Sequence, residues 1–304
     1  MNRKQNIRPL KDLNLTSQFL FNEVIGDAQT HRDVLEIIFG KEIPILDENQ
    51  TEKEFHISPL AHSVRMDVFA MDEEQTVYNT EMQDKRKNDL EKRSRYYQAL
   101  LDTGLLEPGA PNYNLLNQSY IIFIMTFDLF GFEKYCYTFE PRCKEVPEYV
   151  LKDGATRIFL NTKGENADEV SKELVEFLYY VENTTDKVAE ASESERIKRI
   201  HNRVCKVRVS EEAGMRYLRE LEEKNYERQE GREEGIEIGL AQGEVIKLIT
   251  QIKKKIEKDK PLEIIAEELE EDVNLIKGIY EQVMQNPDKS KIEIYKMLEE
   301  KKEE

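Results

Sequence analysis

The chain has 304 residues, of which 39% are hydrophobic and 35% are charged, and its formal net charge is −17. This length fits one globular domain plus a second module, and the polar composition predicts that part of the chain is an extended, solvated helical segment. The acidic charge excludes a surface coated in basic residues, which argues against broad contact with nucleic acid.

The chain also lacks the apolar segments that targeting and membrane insertion require. No apolar run reaches the length of a membrane span, and residues 1–14 contain no apolar stretch typical of a signal peptide. We therefore expect a cytoplasmic protein with no membrane partner. The three cysteines form no CxxC pair and are predicted to be reduced thiols: Cys136, Cys143 and Cys205.

The first predicted elements are helical. Apolar residues recur at helical spacing over residues 12–40, where Gly26 and the following Asp separate two helices and Gly40 ends the second. Two strands are predicted next, over residues 63–70 and 77–83, joined by a polar hairpin connection.

A helix over residues 87–104 follows the hairpin, and a continuous apolar run over residues 119–127 predicts a strand buried on both faces. Weaker strands are predicted at Cys136–Phe139 and Arg157–Asn161. This order of helices and strands indicates an α/β or α+β fold and excludes an all-helical one.

The rest of the chain is predicted to be helical, over residues 168–182 and then as one long helix from 188 to 230. Glycine recurs at every fourth position between residues 231 and 243, which is typical of a weak helix or linker, or of a helix face that allows close backbone approach. Residues 261–284 predict two short helices with a turn, whose acidic residues argue against a DNA-reading helix-turn-helix.

The hairpin contains the residues with the clearest chemistry. If it pairs residues whose numbers add to 148, Asp67 lies opposite Glu81 on the same face of the sheet, with Asn79 and Gln83 also on that face. Directly opposed carboxylates repel each other, and a bound cation would offset that cost. Mg²⁺ prefers carboxylate oxygens and can activate water for phosphodiester hydrolysis. Taken alone, the two acids fit a solvated hairpin face better than a metal site.

Several motifs together resemble a known family. RMDVFA surrounds Asp67, YNTEMQ surrounds Glu81, KRSRYYQALL lies on the following helix, and YIIFI forms the next strand. These motifs resemble the PD-(D/E)XK nuclease superfamily, and most of all its recombination-promoting nuclease branch, the Rpn family. The resemblance is specific over residues 10–130 and implies a mixed sheet flanked by helices, a long helical C-terminal region and a DNA endonuclease that acts in recombination or transposition.

The resemblance also implies roles for individual residues. Asp67 and Glu81 would bind Mg²⁺, with Mn²⁺ as a substitute, and Gln83 stands where the superfamily usually has lysine. An amide cannot transfer a proton at neutral pH, so this departure puts the water-activating step in doubt. Glu23 matches an auxiliary acid of some members, and Arg93 is suited to bind phosphate.

Other residues near this pair have two interpretations each. Tyr97 is predicted to pack in the core, while Tyr96 is a candidate DNA contact. Arg93 either contacts phosphate or pairs with an acid such as Glu81. Lys85 and Arg86 begin a locally basic run that is either a solvated helix or a phosphate-contacting surface.

The division predicted for the chain is a nuclease-like core over residues 1–165, a helical extension over 166–230 and an acidic helical module over 231–304. The main alternative function is a catalytically degenerate nuclease fold that binds DNA or protein. A further alternative gives the C-terminal helices a role in homo-oligomer assembly. The histidines are predicted to lack a Cys or His partner at metal-ligand spacing: His31, His56, His62 and His201.

Overall fold

The computed structural model describes residues 8–44, 50–55, 64–106 and 108–303, which form two compact units, Met1–Leu218 and Arg219–Glu304. The strands are β1 (Gln50–Phe55), β2 (Val64–Met71), β3 (Val77–Gln83), β4 (Ser119–Met125), β5 (Cys136–Phe139) and β6 (Ala155–Asn161). The helices are α1 (Gln18–Ile25), α2 (Ala28–Phe39), α3 (Leu90–Leu105), α4 (Lys172–Glu182), α5 (Asp186–Ala191), α6 (Glu195–Val209), α7 (Glu211–Ile256), α8 (Leu262–Leu269), α9 (Val273–Gln285) and α10 (Lys291–Glu303). The predicted three-part division stays a prediction.

The first unit is built on a six-stranded mixed sheet in the order β1-β2-β3-β4-β6-β5. β3, β4 and β6 run parallel, and the other neighbours are antiparallel. Parallel neighbours need a long crossover, which α3 provides between β3 and β4. The predicted fold class, a mixed sheet flanked by helices and followed by a long helical region, is confirmed.

The β2–β3 hairpin has the predicted register. Val68 lies opposite Thr80 and Phe69 opposite Asn79, so the paired numbers add to 148. The same register, continued by one residue, brings Asp67 level with Glu81. Because side chains alternate between the two faces of a strand, a slip of one residue would separate these two carboxylates.

One face of the sheet is covered by α3. The ring of Tyr97 stacks on Phe123 with centroids 6.2 Å apart, and Phe123 stacks on Phe159 at 5.3 Å. All three side chains are buried, together with Leu100 of α3. Burying side chains of this size contributes about 1.5–3 kcal/mol each, so this apolar layer holds α3 firmly on the sheet.

The opposite face is covered by the N-terminal helices. His31 of α2 bonds through Nε2 to Thr80 Oγ1 at 2.8 Å, and the Phe39 ring meets the Tyr120 ring edge-on at 4.8 Å. The predicted boundary between α1 and α2 is confirmed, because the Asp27 side chain caps α2 by accepting from the Thr30 N–H at 2.9 Å. Gly40 ends α2 with φ of 63°, a conformation that favours glycine.

The helix predicted from residue 188 to 230 is wrong in its limits. The chain is divided there into α5, α6 and the beginning of α7, and α7 continues to Ile256. Ser194 caps α6 by accepting from the Ile197 N–H, and Ser210 accepts from the Ala213 N–H at the start of α7. Serine hydroxyls compete with the helix for backbone N–H groups, which explains the breaks that the apolar periodicity did not reveal.

The strand β1 was not predicted from the sequence. Its residues, QTEKEF, are polar, but they pair antiparallel with β2, for example Thr51 with Val68. This segment therefore forms a strand because its backbone pairs with β2. Its amino-acid composition alone does not predict a strand.

In the second unit, the glycine-rich segment over residues 231–243 is helical, as part of α7. The predicted short helices are confirmed as α8 and α9, and α10 follows them. They enclose a small apolar core with the end of α7, formed by buried isoleucines: Ile249, Ile252, Ile265, Ile276, Ile279 and Ile294. Across the described residues we find no helix with the length and apolar character needed to cross a membrane.

Candidate functional site

The carboxylates of Asp67 and Glu81 are buried side by side, with exposed fractions of 3% and 0%. The Asp67 N–H donates to Glu81 Oε1 at 3.0 Å, and the Met82 N–H donates to Asp67 Oδ2 at 3.1 Å. Each side chain therefore accepts a backbone N–H from the strand opposite. This exchange fixes both carboxylates at the point where β2 and β3 pass each other.

Side chains from three elements complete the hydrogen bonds of this pair. Gln18 of α1 donates its amide to Asp67 Oδ1 at 2.7 Å, and Asn79 of β3 donates to Glu81 Oε1 at 3.1 Å. Arg93 of α3 donates from Nη2 to Glu81 Oε2 at 3.0 Å. All four carboxylate oxygens thus accept an N–H, as buried charged groups require.

Arg93 is held in position by the aromatic layer beneath it. Its Nε donates to the Tyr97 hydroxyl at 2.6 Å, and its guanidinium lies 5.0 Å from the Tyr97 ring centroid and 5.8 Å from that of Phe123. The structure therefore shows that Arg93 forms an ion pair with Glu81 and that Tyr97 packs in the hydrophobic core. The Arg93 side chain is still 20% exposed, so one edge of it faces solvent.

Burial and mutual repulsion change the proton affinity of this pair. Burial, and then the negative charge of Asp67, raise the pKa of Glu81 to about 8, although the nearby Arg93 acts in the opposite direction. The pair thus carries more negative charge than its surroundings favour. A divalent cation would satisfy that excess, and the hard oxygen donors fit Mg²⁺ or Mn²⁺. The buried Asn79 Oδ1, which has no hydrogen-bond partner among the residues that the structure describes, adds a further polar oxygen on β3.

Gln83 lies on the same strand as Glu81 and is nearly buried, at 8% exposed. Its amide nitrogen donates to the Met82 carbonyl at 2.9 Å, and its Oε1 accepts a long hydrogen bond of 3.4 Å from Arg93 Nη1. The structure therefore brings Gln83 together with the two carboxylates and Arg93.

The predicted DNA-contacting residues lie around this group. Lys85 and Arg86 are exposed directly after β3, where Arg86 donates from Nη2 to the Leu129 carbonyl at 3.3 Å. Tyr96 is 37% exposed on α3. Lys85, Arg86 and Tyr96 are thus exposed, while Asp67, Glu81 and Gln83 are buried.

Glu23 is engaged elsewhere. Its carboxylate accepts from Arg216 Nε at 2.8 Å and from Nη2 at 2.7 Å, and the residue of α1 that bonds to Asp67 is Gln18. Gln18 and Glu23 are five positions apart, which places them about 140° apart around the helix. Sequence reasoning missed Gln18, for which the chain carries no motif, and it put Asn79 on the correct face without giving it a role.

The prediction about histidines is wrong for His201. Cys205 lies one helical turn away on α6, and its Sγ is 3.4 Å from His201 Nε2. Residues at positions i and i+4 face the same side of a helix, so His201 and Cys205 are spaced to bind one metal ion together. His31 is buried beneath the sheet, with Nε2 bonded to Thr80, whereas His56 and His62 lie outside the described residues.

Together the geometry defines a nuclease-like α/β protein, in which a mixed sheet carries a buried acidic pair on neighbouring strands. The model of the PD-(D/E)XK nuclease family transposases matches residues 20–234. The chain belongs to this family, and its function is accordingly of the nuclease and transposase type. PD-(D/E)XK nucleases generally use divalent metals. Searches of the curated proteins and of the solved structures gave no match to this chain.

The stability of the metal-free protein is expected to depend on the proton of Glu81. Because the folded-state pKa of about 8 exceeds the ordinary value of 4.5, the folded chain keeps a proton that the unfolded chain releases between these pH values. The free energy of unfolding should therefore fall as pH rises through this window, with a contribution of up to about 1.4 kcal/mol per pH unit.

Urea denaturation in the presence of a chelator checks this expectation. Glu81→Gln should show a shallower decrease of unfolding free energy between about pH 5 and about pH 8 than the wild-type chain. Equal slopes for the two proteins would show that Glu81 titrates normally.

Proposed function

We propose that this protein is a metal-dependent DNA endonuclease that hydrolyses phosphodiester bonds with little sequence specificity and acts in DNA recombination or transposition. The observation that carries this proposal is the pair of buried carboxylates, Asp67 and Glu81, each held by the backbone of the opposite strand. The proposed cofactor is Mg²⁺, with Mn²⁺ as a substitute, because both cations favour carboxylate oxygens.

In this proposal Asp67 and Glu81 hold the cation through their carboxylate oxygens. When bound, the cation supplies Lewis acidity that polarises the scissile phosphate and lowers the pKa of the attacking water. The protein contributes orientation, since the hydrogen bonds from Gln18, Asn79 and the strand backbone fix both carboxylates before substrate arrives. Groups fixed in advance require no reorganisation during the reaction.

Arg93 and Gln83 are the proposed partners of the phosphate. A planar guanidinium suits bidentate contact with phosphate oxygens, and the exposed edge of Arg93 is accessible to a substrate. The Gln83 amide can hydrogen-bond a water or a phosphate oxygen, but it cannot accept a proton at neutral pH. The proton of the attacking water is therefore expected to pass to a phosphate oxygen or to solvent, which predicts a slow enzyme.

DNA is proposed to contact the exposed side chains of Lys85, Arg86 and Tyr96. Contacts to the phosphate backbone position a duplex without reading its sequence, which fits weak sequence specificity. The net charge of −17 confines favourable contact to this small region. Because this region contacts few phosphates, binding is expected to be weak and to depend only shallowly on added salt.

A catalytically degenerate nuclease fold that binds DNA or protein is the second candidate. Gln83 in place of a proton-transferring residue favours it, as does the closed ion pair between Arg93 and Glu81. This candidate predicts that DNA binds equally well with and without a divalent cation and stays intact.

Incubation of the purified chain with supercoiled plasmid separates these two functions. We expect Mg²⁺ or Mn²⁺ to convert the plasmid to open circles and then to linear DNA, and a chelator to prevent both steps. Sequencing of the new ends should show cleavage at many unrelated sequences. Intact plasmid under every metal condition, with retarded migration of the DNA, would favour the degenerate fold.

A further inference from the structure

The helices α5 and α6 bring together three side chains of different chemistry outside the acidic pair. His201 Nε2 lies 3.1 Å from Asp186 Oδ1 and 3.4 Å from Cys205 Sγ, and all three ligand atoms lie within 4.8 Å of one another. We propose that Asp186, His201 and Cys205 form a second metal site, which takes a borderline divalent cation of the Zn²⁺ type.

The distances fit a shared ion. In a tetrahedral zinc site with bonds of about 2.0–2.3 Å, neighbouring ligand atoms are separated by about 3.3–3.6 Å. The separations of 3.1 and 3.4 Å around His201 are close to these values. The remaining pair of ligand atoms, on Asp186 and Cys205, lies within 4.8 Å, a separation that side-chain rotation can adjust to receive the ion.

The imidazole of His201 is already oriented for this role. Its Nδ1 bonds to the hydroxyl of Tyr180 at 2.9 Å, and the Tyr180 side chain is fully buried. His201 is itself 8% exposed, so this contact fixes the ring with Nε2 towards Asp186 and Cys205. Metal-binding histidines characteristically use their second ring nitrogen in such a bond, and coordination through Nε2 would place the ring proton on Nδ1, where it can be donated to the Tyr180 hydroxyl.

The donor set distinguishes this site from the acidic pair. A thiolate with an imidazole and a carboxylate selects Zn²⁺ or Co²⁺ over Mg²⁺, whereas Asp67 and Glu81 offer oxygen atoms alone. The Asp186 side chain is 79% exposed, so the site opens to solvent, and the fourth coordination position is accessible to water or another small ligand. The protein would therefore carry two metal sites of different selectivity.

Optical titration with Co²⁺ tests the proposal directly, because a Co²⁺–thiolate bond absorbs in the near ultraviolet and tetrahedral Co²⁺ absorbs in the visible range. The full chain carrying Asp67→Asn and Glu81→Gln is used, so that the acidic pair cannot contribute. We expect both absorptions to saturate at one Co²⁺ per chain. They should be lost in Cys205→Ser and in His201→Ala, and they should persist in the matched control Cys143→Ser.

Alkylation of the wild-type chain supplies a second readout, which does not depend on whether a variant folds. Zn²⁺ should slow the reaction of Cys205 with iodoacetamide at least about tenfold, as located by peptide mass mapping, and should leave Cys143 unaffected. Absence of the cobalt–thiolate band, its persistence in Cys205→Ser, or equal alkylation of Cys205 with Zn²⁺ and with chelator would overturn the site. The three side chains would then form a hydrogen-bonded group only.

Discussion

Asp67→Asn and Glu81→Gln are each expected to lower the rate of Mg²⁺-dependent plasmid nicking by about 100-fold or more, as is found when a fixed electrostatic group is removed from an active site. Both substitutions keep the volume of the side chain and remove its negative charge. A neutral amide is a weak ligand for Mg²⁺, so the loss follows from poorer cation binding. Because Asp67 and Glu81 act as one unit, the double variant should lose little more activity than either single variant.

The matched control for these variants is Asp33→Asn. Asp33 is also a buried carboxylate held by an arginine, since Arg199 donates to it at 2.6 and 2.8 Å. It lies on α2 and takes no part in the proposed site. Near-normal nicking by Asp33→Asn, at a temperature where all variants are folded by circular dichroism, is the expected result. Nicking that survives in both Asp67→Asn and Glu81→Gln would contradict the assignment of the ligands.

Arg93→Met is expected to destabilise the metal-free protein increasingly as pH rises above about 8, where the wild-type Glu81 carboxyl is ionised and paired with Arg93. The substitution should also reduce nicking, since the proposed phosphate contact is lost. Arg93 lowers the pKa of Glu81, so the variant raises that pKa further and makes the carboxyl retain its proton. The destabilisation should therefore be nearly constant between about pH 6 and about pH 7 and larger near pH 9.

A double-mutant cycle with Glu81→Gln isolates the ion pair from the packing of Arg93 on the Tyr97 ring. Urea denaturation of both single variants and of Arg93→Met/Glu81→Gln should show that the double variant is more stable than the sum of the single effects predicts. Arg93→Lys is a useful comparison, because it keeps the charge and loses the planar fork. Additive single effects would mean that Arg93 supports the fold through its aromatic contacts alone.

The relative placement of Asp67 and Glu81 could be predicted from the sequence because a hairpin imposes a simple geometry, but the resemblance to a nuclease family was needed to favour a metal site over a solvated face. Alternation of side chains and an assumed tight polar connection placed the two acids on one face, and the pairing of Val68 with Thr80 confirms that register. Likewise the boundaries of α1 and α2 followed from Asp27 and Gly40, whose conformational preferences act locally. Local chemistry of this kind can be read from a sequence without knowledge of the tertiary structure.

Contacts between distant segments could not be predicted in the same way. Gln18 reaches Asp67 across 49 positions of sequence, and its neighbours contain no pattern that would indicate it. The cluster of Asp186, His201 and Cys205 needed the break between α5 and α6, which depends on serine caps that the apolar periodicity does not show. The i and i+4 spacing of His201 and Cys205 was visible in the sequence. Two ligands alone do not define a metal site, and the third, Asp186, is brought near them only by the fold.

Binding of Mn²⁺ to the chain, measured by isothermal titration calorimetry near pH 8, tests most directly whether Asp67 and Glu81 hold a cation. The titration is made in Cys205→Ser, so that the site proposed around His201 does not contribute. We predict one Mn²⁺ per chain, with binding lost when Asp67→Asn or Glu81→Gln is added and retained when Asp33→Asn is added. Unchanged Mn²⁺ binding in the Asp67 and Glu81 variants would contradict the account.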